Sequence, residues 1–515
     1  MLIKNKFFHL LIIVSLGGIL FFYKLGELPL FDPDEGRYAE VAREMGESKD
    51  LLLPHFNYEL RLKKPPLYYW FVFLSNRFWG INEFSARFPS AFFSLLGVIL
   101  TYFIGNILYG KSIGIIASLI LMTSFEYLVV SRLAITDMTL CFFFLLAIFS
   151  FLKYEKDKKD LFLFLFWISL SLSFLTKGPV GLLPLLVIIF YSLFEKRFIL
   201  LKEIFIRRIS FLVIFFIVGL SWYLILVFKF GFSEMFSLFH HETLERFFKG
   251  YIHREPFLYF LPVILLGFFP WTSFLFWIKI NFLKDRFLIV WFLVVFIFFS
   301  LSRSKIPTYI ISLFPCLSIL LANFWENCFS KKEKNFSKKL NFSLIFLLFL
   351  LILSFVGIKI FLKEKYALEL NIFYPLIFSL ILIFISLIFS FYKRFPFSFL
   401  TIFSFTFVFL FLFFSLFSSP LSYLRSTKAL VEPVKREIKD KDIVISYRLP
   451  KPSLVFYTRH KIFFLQDFLE LLNYLEKKDA SLWLIIREED FSLIREKYNF
   501  SFKNKLGKYL LVKLE

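Results

Sequence analysis

Acids and bases gather in two short runs near the start of this chain. Asp32-Pro33-Asp34-Glu35-Gly36-Arg37-Tyr38 follows a first hydrophobic stretch, and Lys63-Lys64-Pro65-Pro66-Leu67-Tyr68-Tyr69-Trp70 comes shortly after it. Ionisable side chains at a bilayer centre cost about 2.5–3.5 kcal/mol each on insertion scales. In a chain that is 58% hydrophobic, a cluster held beside such a stretch therefore marks a functional site. Carboxylates of this kind accept a proton or orient a polar ligand, and fixed cations stabilise a developing anion. The acids are Asp34, Glu35 and, further on, Asp137; the cations are Lys64, Arg246 and Lys305, with Tyr309 as a neutral donor.

These residues must be held by membrane helices. The chain has 515 residues, 82 of them Phe, only 19% charged, with repeated long apolar runs, which is the composition of a polytopic helical membrane protein. The net charge of +22 does not imply nucleic acid, because the Lys and Arg sit in short loops between apolar runs. Cys141, Cys316 and Cys328 lie in or beside those runs without metal-ligand spacing, so no disulfide framework is expected. The first run, 7–23, lacks a small-x-small cleavage site and reads as a retained helix.

Hydropathy predicts thirteen spans, from 7–23 to 396–418, with 161–175 and 179–194 as separate crossings. Loops with four Lys between 153 and 159 and five Lys or Arg between 195 and 208 fall on one side, which the positive-inside bias makes cytoplasmic. The segment 24–87, Asp137, the loop 230–256 and the turn 302–309 then share the outer face. Within 24–87, residues 35–48 place Tyr38, Val41, Ala42 and Met45 opposite Glu40, Arg43, Glu44 and Glu47, the pattern of an amphipathic helix lying along the interface. The composition changes at Ser419-Pro420, dividing a membrane domain, 1–419, from an outer α/β domain, 420–515. In the latter, 442–447, 454–458, 481–486 and 508–514 read as strands and 467–477 and 488–497 as helices, giving mixed or parallel pairing.

The runs Asp34-Glu35-Gly36-Arg37-Tyr38-Ala39-Glu40, Lys64-Pro65-Pro66-Leu67-Tyr68-Tyr69-Trp70 and Arg87-Phe88-Pro89-Ser90-Ala91 resemble the membrane glycosyltransferases of the GT-C superfamily. The similarity is greatest to the lipid A aminoarabinose transferases and to bacterial relatives of the protein O-mannosyltransferases. It continues through Ile135-Thr136-Asp137, Thr176-Lys177-Gly178-Pro179, Phe269-Pro270-Trp271 and Ser304-Lys305-Ile306-Pro307-Thr308-Tyr309. The resemblance implies a mostly α GT-C fold with a small soluble C-terminal domain. It also implies transfer of a sugar from a polyprenyl-phosphate carrier to a membrane acceptor, foremost 4-amino-4-deoxy-L-arabinose onto lipid A, at the periplasmic face of a bacterial inner membrane. Lys64, Arg246 and Tyr309 match the positions that hold the carrier phosphate, with Tyr38 counted beside them, and Asp34 and Asp137 match the two outer-face acids. Lys305 joins the phosphate set on its charge alone.

Simpler roles compete for each residue. Lys64, Arg246 and Lys305 can serve as headgroup anchors, and Asp34 and Asp137 as helix N-caps. The loop 230–256 holds His240, His241, Glu242, Arg246, His253 and Arg254, and imidazole with carboxylate suits zinc or another divalent ion. In the aminoarabinose transferases a Glu before the Pro-Pro-linked Lys and a His five residues before the Arg resemble a metal pair. Here Lys63 stands at the first of these positions, which leaves His241 as metal ligand or as hydrogen-bonding residue. A protein O-mannosyltransferase-like enzyme is the neighbouring reading. A secondary transporter is the reading from another class, though it calls for midplane charges and repeated halves that the sequence lacks. A non-catalytic membrane scaffold accounts for the spans but not for the acids beside Lys64, and the Trp-Trp-Asp signature of oligosaccharyltransferases is absent.

Overall fold

A computed structural model of the protein describes residues 6–207, 209–250, 254–330, 335–366, 373–409, 426–476 and 481–514. His253, the end of the last expected span and the boundary at 419–420 lie outside them. The chain is mostly helical and forms two compact units. The first takes Met1–Tyr23, Lys63–Pro65 and Ser90–Leu416, the second Lys24–Leu62, Pro66–Pro89 and Phe417–Glu515.

Among the described residues, five helices are long and apolar enough to cross a membrane, or up to seven if each of two bent pairs makes one span. Thirteen were expected. Several expected spans are helices of 10–17 residues, such as Lys6–Phe22, Phe257–Gly267 and Arg286–Leu301, below the roughly 20 residues of a full crossing. The expected pair 161–175 and 179–194 falls in one apolar run, Asp160–Phe194, interrupted at Gly178 with φ +64°. Hydropathy reports apolar length, whereas the ends of helices are set by where the backbone turns.

Two of these helices matter for the site. Asp137–Asp157 and Asp160–Lys177 pack along one another, joined at Lys158, whose φ of +53° reverses the chain. At 21 and 18 residues they are nearly equal in length, so the first residue of one lies beside the last residue of the other. Gly178 and Pro179 stop the second helix where Lys177 ends it. Elsewhere in the first unit the buried Arg132 donates to the carbonyls of Leu20 (2.9 Å), Phe21 (3.3 Å) and Tyr23 (2.7 Å), satisfying the open C-terminal end of helix α1, Lys6–Phe22.

The second unit joins α2 (Asp34–Ser48), a hairpin of β1 (His55–Phe56) and β2 (Glu59–Leu60), α3 (Leu67–Trp79) and the first turns of α4 (Glu83–Tyr109) to a five-stranded sheet. The sheet contains β3 (Ile443–Tyr447), β4 (Ile462–Leu465), β5 (Leu482–Arg487), β6 (Phe500–Leu506) and β7 (Tyr509–Leu514) in the order β4-β3-β5-β7-β6. Strands β4, β3 and β5 are parallel, and the β6–β7 hairpin pairs antiparallel to β5. Residues 454–458, expected as a strand, lie instead in the helix Ser453–Thr458, and neither β4 nor β6 was anticipated. Every residue of that helix is buried, so its apolar run has no period to distinguish helix from strand.

Helix α2 forms as expected, but of its charged face only Glu47 is exposed; the other three residues are turned away from water and lipid headgroups. Glu40, Arg43 and Glu44 are 0%, 5% and 2% exposed. Arg43 makes a two-pronged bond to Glu40 (2.8 Å each), reaches Glu47 at 2.7 Å and donates to the Tyr58 hydroxyl at 3.1 Å. The Glu44 carboxylate accepts the Tyr58 amide at 3.0 Å, and burial, then the neighbouring Glu40, pushes its pKa up to about 8. A helical charge pattern shows that one face is polar; it does not say whether water or a partner hairpin satisfies it.

Arg87 anchors the unit. Its Nε and Nη2 donate to the two carboxylate oxygens of Glu35 at 2.8 Å each, and Nη1 and Nη2 also donate to the carbonyls of Leu25, Leu28 and Pro29. Glu35 accepts the Phe31 amide at 2.9 Å as well. Both side chains are buried. Removing one partner leaves a buried, unpaired charge, a loss of about 3–5 kcal/mol. Glu35→Ala or Arg87→Ala should accordingly melt well below the wild type in detergent by differential scanning fluorimetry. A Tm within 2–3 °C of wild type for either variant would refute the anchoring role.

Candidate active site

The residues singled out in the sequence fall into two sets, one in each unit. In the second unit, Asp34 opens α2, is 53% exposed and pairs with Arg37 at 3.2 Å. The N-cap position belongs to Pro33, with no side-chain capping bond, so the cap role considered for Asp34 has no support in the local geometry. Glu35, the next residue, has both oxygens committed to Arg87, which makes it part of the scaffold that holds α2. Tyr38 packs edge-on to Tyr68 and against Tyr69, with ring centroids 5.5 and 5.7 Å away.

The first unit gathers the cations. Asp137, the first residue of its helix, accepts from Lys177 Nζ at 2.8 Å. The carboxylate and ammonium each lie at the helix end where the backbone dipole favours their sign. The same ammonium lies over the Tyr309 ring, 4.7 Å from its centroid, a cation–π contact. Lys64 is half-buried, and among the described residues no hydrogen bond or ion pair ties its ammonium. Burial, then the Lys177 and Arg246 cations, pull its pKa down to about 7, against the attraction of Glu242 and Asp137. Glu242 stands between two bases, with Arg246 at 3.7 Å and Lys63 at 3.8 Å. Asp137, Tyr309, Thr308 and Ser312 line one small cavity with Phe299 and Phe144.

Two of the expected residues behave differently. Lys305 is buried and donates to the Glu255 carbonyl at 2.9 Å, so its ammonium braces a loop. His241 is exposed and pairs through Nδ1 with Glu245 at 2.8 Å. Among the described residues no three His, Cys, Asp or Glu side chains come together as metal ligands. With Lys63 directed at Glu242, the donor set does not fit a divalent ion, and no chemical step is derived through one. Lys177 and Glu242 are the residues sequence reasoning passed over. Lys177 sits in a quoted motif and Glu242 in the quoted loop, but only the helix packing puts either one beside Lys64.

Four cations, Lys63, Lys64, Lys177 and Arg246, against the two carboxylates Asp137 and Glu242 leave an excess of positive charge suited to an anion such as a phosphate group. Among these cations Lys64 is the one with no ion pair among the described residues. Its proton is bound below about pH 7 in the folded protein and below its ordinary 10.5 when unfolded. The unfolded chain thus carries more protons in between, and the Lys64 contribution makes stability rise with pH over that window. Binding runs the other way. Affinity for a phosphodiester lipid, whose own charge is constant, should fall as pH rises through 7, by up to about tenfold per pH unit. Lys64→Met should flatten that dependence in calorimetric titrations from pH 6 to 9, and a wild-type affinity independent of pH would contradict this account.

A family model described as dolichyl-phosphate-mannose-protein mannosyltransferase matches residues 11–236. An uncharacterized protein of Aquifex aeolicus is 34% identical over 67% of this chain and 68% of its own length. The undecaprenyl phosphate-alpha-4-amino-4-deoxy-L-arabinose arabinosyl transferase of Wigglesworthia glossinidia brevipalpis is 28% identical over 99% of this chain and 92% of its own. The fold is similar to that in the crystal structure of ArnT from Cupriavidus metallidurans bound to undecaprenyl phosphate, with a TM-score of 0.84 at 19% identity, covering 98% of this chain and 97% of that one. It is more distantly similar to the archaeal oligosaccharyltransferase AglB of Archaeoglobus fulgidus, at a TM-score of 0.53 and 12% identity. With these relatives and this fold, the chain is a glycosyltransferase that resembles the aminoarabinose transferases of the GT-C type.

Proposed function

We propose that the protein moves a sugar from a polyprenyl-phosphate carrier to an acceptor at the outer face of the inner membrane, the sugar being 4-amino-4-deoxy-L-arabinose or a close relative and the acceptor lipid A. The observation that carries this reading is Lys64, a cation with no hydrogen bond or ion pair among the described residues, under the influence of Lys177 and Arg246. As the bond from the sugar to the carrier breaks, negative charge collects on the departing phosphate. Lys64 and Arg246 bind that phosphate, Tyr309 offers its hydroxyl, and Asp137 holds Lys177 in place beside them. In the second unit Asp34 orients the sugar when the acceptor is an anionic lipid phosphate, or takes the proton when it is a hydroxyl. The near full-length similarity to the Wigglesworthia aminoarabinose transferase supports this choice of sugar. The thirteen-span topology, with the C-terminal region on the periplasmic side, belongs to the same reading. The mannosyltransferase family match favours a second one, transfer to a protein hydroxyl; mass spectrometry of lipid A and of glycoproteins with and without the gene separates the two.

Lys64→Ala and Arg246→Ala should each lower transfer from a polyprenyl-phosphate sugar by about 10²–10³-fold while the protein still folds, the usual loss on removing one fixed donor to a developing charge. Asp34→Asn should reduce turnover by roughly 10²–10⁴-fold with little change in Tm. Transfer and Tm measured on the same purified variants check both, and a stable Asp34→Asn enzyme with normal turnover would sink the role given to Asp34.

A further inference from the structure

Asp34 is carried on a stretch of backbone gripped on both sides by one residue from far along the chain. Two positions before it, the Asp32 carboxylate accepts the Ser453 amide at 2.7 Å and, through its other oxygen, the Ser453 hydroxyl. Two positions after it, Gly36 lies so close to Ser453 that a Cβ there would come within 2.7 Å of the Ser453 nitrogen and 2.8 Å of its Cα. Ser453 is itself buried, and its hydroxyl also meets the Thr427 hydroxyl at 2.7 Å. The surrounding contacts repeat the pattern. The Tyr457 hydroxyl accepts the Leu30 amide at 2.7 Å and bonds Glu83 at 3.1 Å. The Asn57 side chain pairs with both the amide (2.8 Å) and the carbonyl (2.9 Å) of Ile462 on strand β4.

We infer that Ser453 is a positioning residue for Asp34, and that the C-terminal sheet region is a working part of the transferase, holding the Asp32–Gly36 turn so that the Asp34 carboxylate keeps its place. This rests on the role given to Asp34 above. The burial that pushes the Asp32 carboxyl upward is offset in part by the two Ser453 bonds, so loss of those bonds also weakens the turn itself. A misplacement of about 1 Å at a reacting group lowers rate by up to 10²-fold. In the full-length enzyme, Ser453→Ala should therefore reduce kcat per folded molecule by roughly 10- to 10²-fold, with the donor KM within about threefold of wild type. Ser453→Thr, which keeps the amide and the hydroxyl, should recover most of the lost kcat.

The decisive measurement places Ser453→Ala in the Asp34→Asn background. A positioning residue acts through Asp34, so the second substitution should change kcat by less than about twofold there. A purely structural serine would instead lower Tm and active fraction equally in both backgrounds and leave kcat per folded molecule unchanged, which overturns the inference. If Ser453→Ala does not fold, Asp32→Asn serves the same test, since the amide keeps an acceptor for the Ser453 nitrogen while losing the charge; a kcat undiminished in that variant also overturns it. Normal turnover by Asp34→Asn alone would show that the role of Asp34 has failed, whereas an inactive Asp34→Asn beside a fully active Ser453→Ala would show that only the positioning inference has.

Discussion

The buried pair of Glu35 and Arg87 is the constraint on which the second unit is built. Two charges withdrawn from water are tolerated only when their attraction is joined by a nearly complete set of hydrogen bonds. Here the guanidinium spreads its donors over a carboxylate and three backbone carbonyls, and the carboxylate accepts a backbone amide as well. The carbonyls belong to residues 25–29, so the stretch leading into α2 wraps around the Arg87 head. One acid of the Asp34-Glu35 pair is thus spent on structure. Its neighbour is left exposed, at the start of a helix whose position the ion pair has already set.

The same economy of charge recurs along α2. Glu40, Arg43 and Glu44 form a buried network closed by the turn at Asn57–Tyr58. Both turn residues have positive φ, +60° and +62°, an uncommon conformation for side chains of this size. What holds it is the Glu44 carboxylate on the Tyr58 amide and the Asn57 amide on the backbone of β4. The second of these contacts also occupies an edge strand, whose open amide and carbonyl groups would otherwise be available to another chain. Helix, hairpin and sheet are one construction, which is why residues 24–62 and the C-terminal region fall in a single compact unit.

The first unit has the opposite electrostatic character. Around Lys64 the cations outnumber the acids: Asp137 is taken by Lys177, and Glu242 is shared between Lys63 and Arg246. Burial first, and then repulsion from Lys177 and Arg246, lowers the Lys64 pKa to about 7. An arriving anion relieves both. For the phosphate-binding role proposed above, cations fixed before the phosphate arrives have no need to reorganise as its charge grows.

Much of this was legible in the residues alone. Apolar run lengths determine a helical membrane protein, and the rarity of charge in such a chain makes Asp34, Lys64, Asp137 and Arg246 conspicuous, because each would be costly in lipid without a purpose. The alternation of short apolar runs after residue 440 determines strands at 443–447, 482–487 and 509–514. Other features required the tertiary structure, for one physical reason: a side chain's role is decided by what lies opposite it, and sequence spacing reports only its own element. Spacing cannot tell that Glu35 meets Arg87 while Asp34 stays exposed, that Lys305 turns to a carbonyl while Lys64 does not, or that the charged face of α2 is covered by a hairpin. Nor can it tell that Lys177, an ordinary helix-ending lysine in sequence, is brought to Asp137 by two packed helices of nearly equal length.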